Sequence, residues 1–95
     1  MITAIVMVHV DSHRIPEVAE EIADLNGVSE VYSVTGGADL IAIVRVSRHD
    51  MLADVIADRV SKVAGVIGTE THIAFRTYSR HDLEAAFSLG AEEAG

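Results

Sequence analysis

The apolar positions of the chain follow two alternating periods. Ile2 to Val10, Ile-Thr-Ala-Ile-Val-Met-Val-His-Val, is rich in β-branched residues and predicts a strand that is apolar on both faces. Asp11-Ser-His-Arg14 reads as a loop, and Pro16 suits the first turn of a helix. Ile15, Val18, Ala19, Ile22 and Leu25 then recur at helical spacing, with Glu17, Glu20, Glu21 and Asp24 on the opposite side, and Asn26-Gly27 ends the helix. Val28 to Thr35 alternates, placing Val28, Glu30, Tyr32 and Val34 on one face and Ser29, Val31, Ser33 and Thr35 on the other. A glycine turn leads into Leu40 to Val46, a second buried strand. Ser47 opens a second helix with the apolar stripe Leu52, Val55, Ile56, Val60 and Val63, closed by Ala64-Gly65. Val66 to about Tyr78 is extended, and Asp82 to about Leu89 predicts a short terminal helix.

These elements form an internal repeat. Ala4-Ile5-Val6 recurs as Ala42-Ile43-Val44, Val18 and Ile22 as Ile56 and Val60, and Gly27-Val28 as Gly65-Val66, all at an offset of 38. Two βαβ units of matched length joined by a tight hairpin predict an α+β fold. It is a ferredoxin-like βαββαβ sandwich: a four-stranded antiparallel sheet with two helices on one face. Residues 1–79 make that domain, and 80–95 make the short helix and tail. Ile2, Ile5, Met7, Ile41, Ile43, Ile73 and Phe75 exceed what one covered face needs. The second face is thus expected to be covered by a second copy, dimerising through the sheet as a dimeric α+β barrel, or by the chain's own tail.

Composition narrows the function. Hydrophobic residues make up 49% of the chain, enough to support a packed core rather than disorder. There is no cysteine, so disulfides and thiolate chemistry do not arise. No signal peptide and no apolar run of membrane-spanning length is visible, and a cytoplasmic setting is expected. With 7 Lys and Arg against 15 Asp and Glu, the net charge is −8, and no basic face for nucleic acid can be read.

Candidate chemistry is sparse. Ser-Arg-His-Asp occurs at 47–50 and again at 79–82, each before a helical pattern, and reads as a helix cap rather than a metal site. His9, His13, His49, His72 and His81 fall at no metal-ligand spacing, so neither a metal nor another cofactor is expected. His9 and His72, both on strands, are expected to meet across the sheet. No nucleophile motif is present and no catalytic residue is assigned. The turn Val34-Thr-Gly-Gly-Ala-Asp39 stands out. Its glycines supply positive φ for a hairpin and leave bare backbone for a small molecule. Asp39 is placed either to meet an ammonium group or to hydrogen-bond neighbouring backbone.

On the element order, the Val-Thr-Gly-x-x-Asp turn at 34–39 and Gly65-Val66 before a threonine-bearing last strand, the chain resembles the effector-binding (RAM) domain of the Lrp/AsnC transcriptional regulators, over about Ile2 to Tyr78. Met1 abuts the first strand, so the helix-turn-helix reader usual in that family is not expected, and a stand-alone domain is. The resemblance implies a homodimer built by sheet packing, an octamer-type ring of dimers, and an amino acid bound where dimers meet. By position it implies a first wall of Thr35, Gly36, Gly37 and Asp39 and a second of Thr69, Thr71, His72, Ile73 and Ala74.

The reading is therefore a non-enzymatic oligomeric module that senses a small molecule, an amino acid, in transcriptional or metabolic regulation. Two alternatives stay open: a small cofactor-free enzyme of monooxygenase or isomerase type using His9, His72 or Tyr32, and an assembly partner of full-length Lrp/AsnC regulators. Contact with a membrane is not expected. Neither is contact with nucleic acid: in a gel shift at physiological salt, DNA should bind no tighter than about 10⁻⁶ M, the non-specific limit, and tighter binding would contradict the charge argument.

Overall fold

The computed structural model describes residues 1–80. The elements run β1 (Ile2–Val10), α1 (Ile15–Ala23), β2 (Val28–Ser33), β3 (Leu40–Val46), α2 (His49–Ile56), a 3-10 turn (Val60–Lys62) and β4 (Val66–Ala74). The four strands form one sheet in the order β2-β3-β1-β4 with every neighbour antiparallel, as the repeat predicts. The terminal helix expected over 82–89, and the tail 80–95 beyond residue 80, lie outside the described residues.

Strand alternation sorts the core. Ala4, Val6, Val8 and Val10 of β1 and Leu40, Ala42, Val44 and Val46 of β3 are buried in one cluster with Val18 and Ile22 of α1 and Leu52 and Val55 of α2. Both helices therefore pack on one face of the sheet, and the intervening residues of β1 and β3 point to the other. Two rungs cross that open face: Tyr32–Ile41–Met7–Glu70 and Glu30–Ile43–Ile5–His72. Its centre is four half-buried apolar side chains, Ile5, Met7, Ile41 and Ile43. Ile2 and Ile73, counted from sequence among the apolar residues in excess of one covered face, lie on the helix side, since Ile2 packs against the core and Ile73 pairs with Ala4. Phe75 follows β4 and is 97% exposed. His9 and His72 share the open face without meeting, because His9 stands opposite Gly68 and His72 opposite Ile5.

Three local expectations fail for physical reasons. A bulge between Val28 and Glu30 shifts β2 by one position, so Val28 pairs with Val44 on the helix side while Glu30 and Tyr32 stay on the open face. The Ser47 cap does not form: the helix starts at His49, Arg48 takes the cap position without a side-chain bond, and the Ser47 hydroxyl donates to Met51 Sδ at 3.3 Å. The second helix stops at Ile56, and a separate 3-10 turn carries Val60 into the core.

Gly27 and Gly65, equivalent in the repeat, both have positive φ, +95° and +102°. Each also sits under a helix of the other half: a Cβ at Gly27 would meet Val55 Cγ2 at 2.7 Å, and one at Gly65 would meet Val18 Cγ2 at 2.8 Å. Gly65→Ala should therefore cost about 1–3 kcal/mol in urea denaturation, through strained φ and a forced shift of Val18. Gly37→Ala, where an added Cβ meets nothing within 4 Å, should stay within about 0.5 kcal/mol. Equal losses at the two positions would refute this account.

Candidate functional site

The hairpin between β2 and β3 is closed by Val34 N–H donating to the Asp39 carbonyl at 3.1 Å, with Gly36 at φ +117° at its tip. Valine-like side chains resist that φ, which explains the first glycine. Asp39 ties the hairpin to β1 twice: its N–H donates to the Val8 carbonyl at 3.1 Å, and its Oδ2 accepts the Val10 N–H at 2.8 Å. The β1–β3 ladder ends at Val8–Leu40 because the chain turns away there. The Asp39 carboxylate supplies the acceptor that the ladder no longer offers to Val10. The backbone bond that the sequence offered as one role for Asp39 is formed, through Oδ2.

Beside this hairpin, on the open face of the sheet, lies a cavity of about 400 Å³ lined by Met7, His9, Val34, Thr35, Gly37, Ala38, Ile41 and Glu70. That volume falls within the range of small-molecule sites. Added Cβ atoms at Gly36 or Gly37 would meet nothing within 4 Å, so the backbone is bare on this side.

The sequence-derived walls divide between the two faces. Thr35 and Gly37 line the cavity, and Asp39 holds the hairpin from below. On β4, Thr69, Thr71 and Ile73 stand opposite Val8, Val6 and Ala4, on the helix side, whereas His72 and Ala74 stand opposite Ile5 and Thr3 on the open face. The residue that β4 gives to the cavity is Glu70, opposite Met7. Sequence reading passed over Glu70, Met7 and Ile41 as site residues, and named His9 only for the enzyme alternative. The antiparallel register of β1 with its two neighbours was the signal that would have placed them on one face.

The open face is polar at both margins. Glu70 Oε2 lies 3.5 Å from His72 Nε2, an ion pair when the ring is protonated. On the far margin Arg45 Nη1 lies 3.3 Å from Glu30 Oε1. Glu30, through a hydrogen bond and its negative charge, pushes the exposed Tyr32 phenol above its ordinary pKa. A second hollow, of about 250 Å³, lies between α2 and the start of β2; Arg59 at its rim donates to the Asn26 carbonyl at 3.1 Å. Among the described residues no three His, Asp or Glu side chains converge as a metal site, and no helix is long and apolar enough to cross a membrane.

Comparison with known proteins agrees with this architecture. A HTH-type transcriptional regulator of Pyrococcus furiosus is 35% identical over 72 residues, covering 76% of this chain and 49% of the regulator. The chain spans about half the length of the curated relatives it matches. The crystal structure of TTHA0845 from Thermus thermophilus superposes with a TM-score of 0.79 at 45% identity, over 84% of this chain and 100% of that one. The feast or famine regulatory protein Rv3291c of M. tuberculosis, complexed with L-methionine, superposes at 0.70 with 26% identity over 84% of this chain and 54% of that one. The family described as the Lrp/AsnC ligand binding domain matches residues 3–83. With its βαββαβ sheet, its glycine hairpin and this match over most of its length, the chain belongs to the Lrp/AsnC ligand-binding domain family.

Proposed function

We infer that this chain is a non-enzymatic, oligomeric effector-binding module of transcriptional regulation, acting in the cytoplasm, and that its effector is an amino acid. The observation that carries the reading is the cavity under the Val34–Asp39 hairpin, in which bare glycine backbone and one carboxylate face an apolar floor. The L-methionine held by Rv3291c supports an amino acid as the ligand class. The curated relatives named as transcriptional regulators favour binding over turnover.

The module works as an assembly. Ile5, Met7, Ile41 and Ile43 form a stripe that its own helices leave uncovered, and a second copy laid sheet to sheet buries it. Such dimers then build a larger ring. An effector acts on this assembly only through a difference in affinity between its states, and the coupling is reciprocal.

A thermal-shift screen of the twenty amino acids tests the ligand. One present at about a hundred times its Kd adds about 2.7 kcal/mol, a rise in Tm of about 10 °C or more; no shift with any of them refutes the reading. Ile43→Glu should convert the assembly to monomer or aggregate in sedimentation, because an unpaired charge buried in the interface costs several kcal/mol. A compact wild-type monomer at micromolar concentration would refute the dimer. Asp39→Ala should lower stability by about 1–3 kcal/mol in urea, since the Val10 N–H loses its acceptor; an unchanged midpoint would show that bond to be idle.

A further inference from the structure

We propose that sheet-to-sheet assembly of this chain is linked to proton uptake. The Glu70–His72 pair on the β4 margin is the switch: a protonated imidazole lets the Glu70 carboxylate enter the interface, and loss of that proton loosens the assembly. This rests on the assembly reading above and adds its control by pH.

The two margins of the open face are neutralised in different ways. On the β2 side the Glu30 carboxylate lies 3.3 Å from Arg45 Nη1, and a guanidinium keeps its charge at every working pH. On the β4 side Glu70 Oε2 lies 3.5 Å from His72 Nε2. Among the described residues no Lys or Arg pairs with Glu70. An imidazole, unlike a guanidinium, gains and loses its proton near neutrality. The other ionisable groups on this face do not take its place. His9 of β1 stands opposite Gly68, diagonal to Glu70, and lines the same cavity; it is a second imidazole and not a permanent cation. Tyr32 of β2 has its phenol pushed up by the hydrogen bond to Glu30 and by that carboxylate's charge, so it is neutral at pH 6 to 8. Arg76 lies beyond Ala74, the last residue of β4.

The apolar stripe cannot be covered without this margin. Ile5 pairs with Ile43 and His72, and Met7 pairs with Ile41 and Glu70. A stable interface takes about 800 Å² from each partner, more than four half-buried side chains supply, and neighbouring strands lie only about 4.8 Å apart. A second sheet broad enough to bury the stripe therefore reaches β4. In the single chain the His72 and Glu70 side chains are 55% and 64% exposed, so water solvates both charges and the pair contributes little. In the stacked interface the carboxylate loses that water, and a buried charge without a partner is costly. Assembly thus favours the protonated ring. The sign follows: the pair's contribution is full where the imidazole is protonated and is lost as pH rises through its titration.

Sedimentation with fluorescence detection, from nanomolar to micromolar protein, tests this on the wild type at pH 6 and pH 8. Assembly should be about ten- to a hundredfold tighter at pH 6, tenfold for each proton whose affinity rises by one pH unit. Glu70→Gln should differ by no more than about twofold between the two conditions. That separates the pair from a general loss of negative charge on acidification, which would act on the variant too. His72→Lys, with a permanent cation, should assemble at pH 8 as tightly as the wild type does at pH 6. Equal wild-type assembly at the two pH values overturns the proposal and leaves the assembly reading standing. So does a pH dependence retained in Glu70→Gln, or a His72→Lys chain that still loosens at pH 8. A wild type that is monomeric at both pH values overturns both.

Discussion

Strands β1 and β3 share the centre of the sheet, and both are apolar on both faces. Two helices cover one of those faces with Val18, Ile22, Leu52 and Val55. Nothing in the described chain covers the other, where Ile5, Met7, Ile41 and Ile43 remain half-buried. Burial of aliphatic surface is the main favourable term in folding, so this asymmetry governs both the core and the surface of the molecule. It closes the single-chain core, and it leaves a face suited to a partner with the hairpin cavity at one end.

The two halves of the repeat are interlocked rather than merely adjacent. Gly27 ends the first helical unit and lies against Val55 of the second; Gly65 ends the second and lies against Val18 of the first. Each glycine combines a left-handed backbone with a contact too close for a β-carbon. A change at either position therefore strains the backbone and the helix packing together. Asp39 plays a comparable part at the end of the sheet that also holds Gly65, where it continues the β1–β3 pairing beyond its last rung through a side chain. The hairpin is held from beneath while its glycine backbone stays bare.

The proposed site and the proposed assembly surface coincide. The cavity residues Met7 and Ile41 belong to the same apolar stripe that a second sheet would cover. A ligand there and a partner there cannot be thermodynamically independent, and a modest difference in affinity between assembly states is enough to couple them. Polar pairs, Glu70 with His72 on one side and Glu30 with Arg45 on the other, border the apolar stripe.

The sequence by itself determined the element order, the antiparallel topology and the two turn glycines, because these depend on local period and on backbone freedom, both written residue by residue. Its repeat located β1 and β3 as equivalent strands, and its Val-Thr-Gly-x-x-Asp turn located the hairpin. The division of β4 was decided by tertiary structure. Thr69 and Thr71 look the better ligand groups on chemistry, yet register against β1 turns them to the helix side and brings Glu70 to the hairpin. Likewise one bulged residue in β2 moved Val28 across the sheet, and one residue of delay at the start of α2 took Ser47 out of the cap position. A strand side chain changes face with a shift of one position, and that shift is set by pairing between segments far apart in the chain. No local pattern carries it.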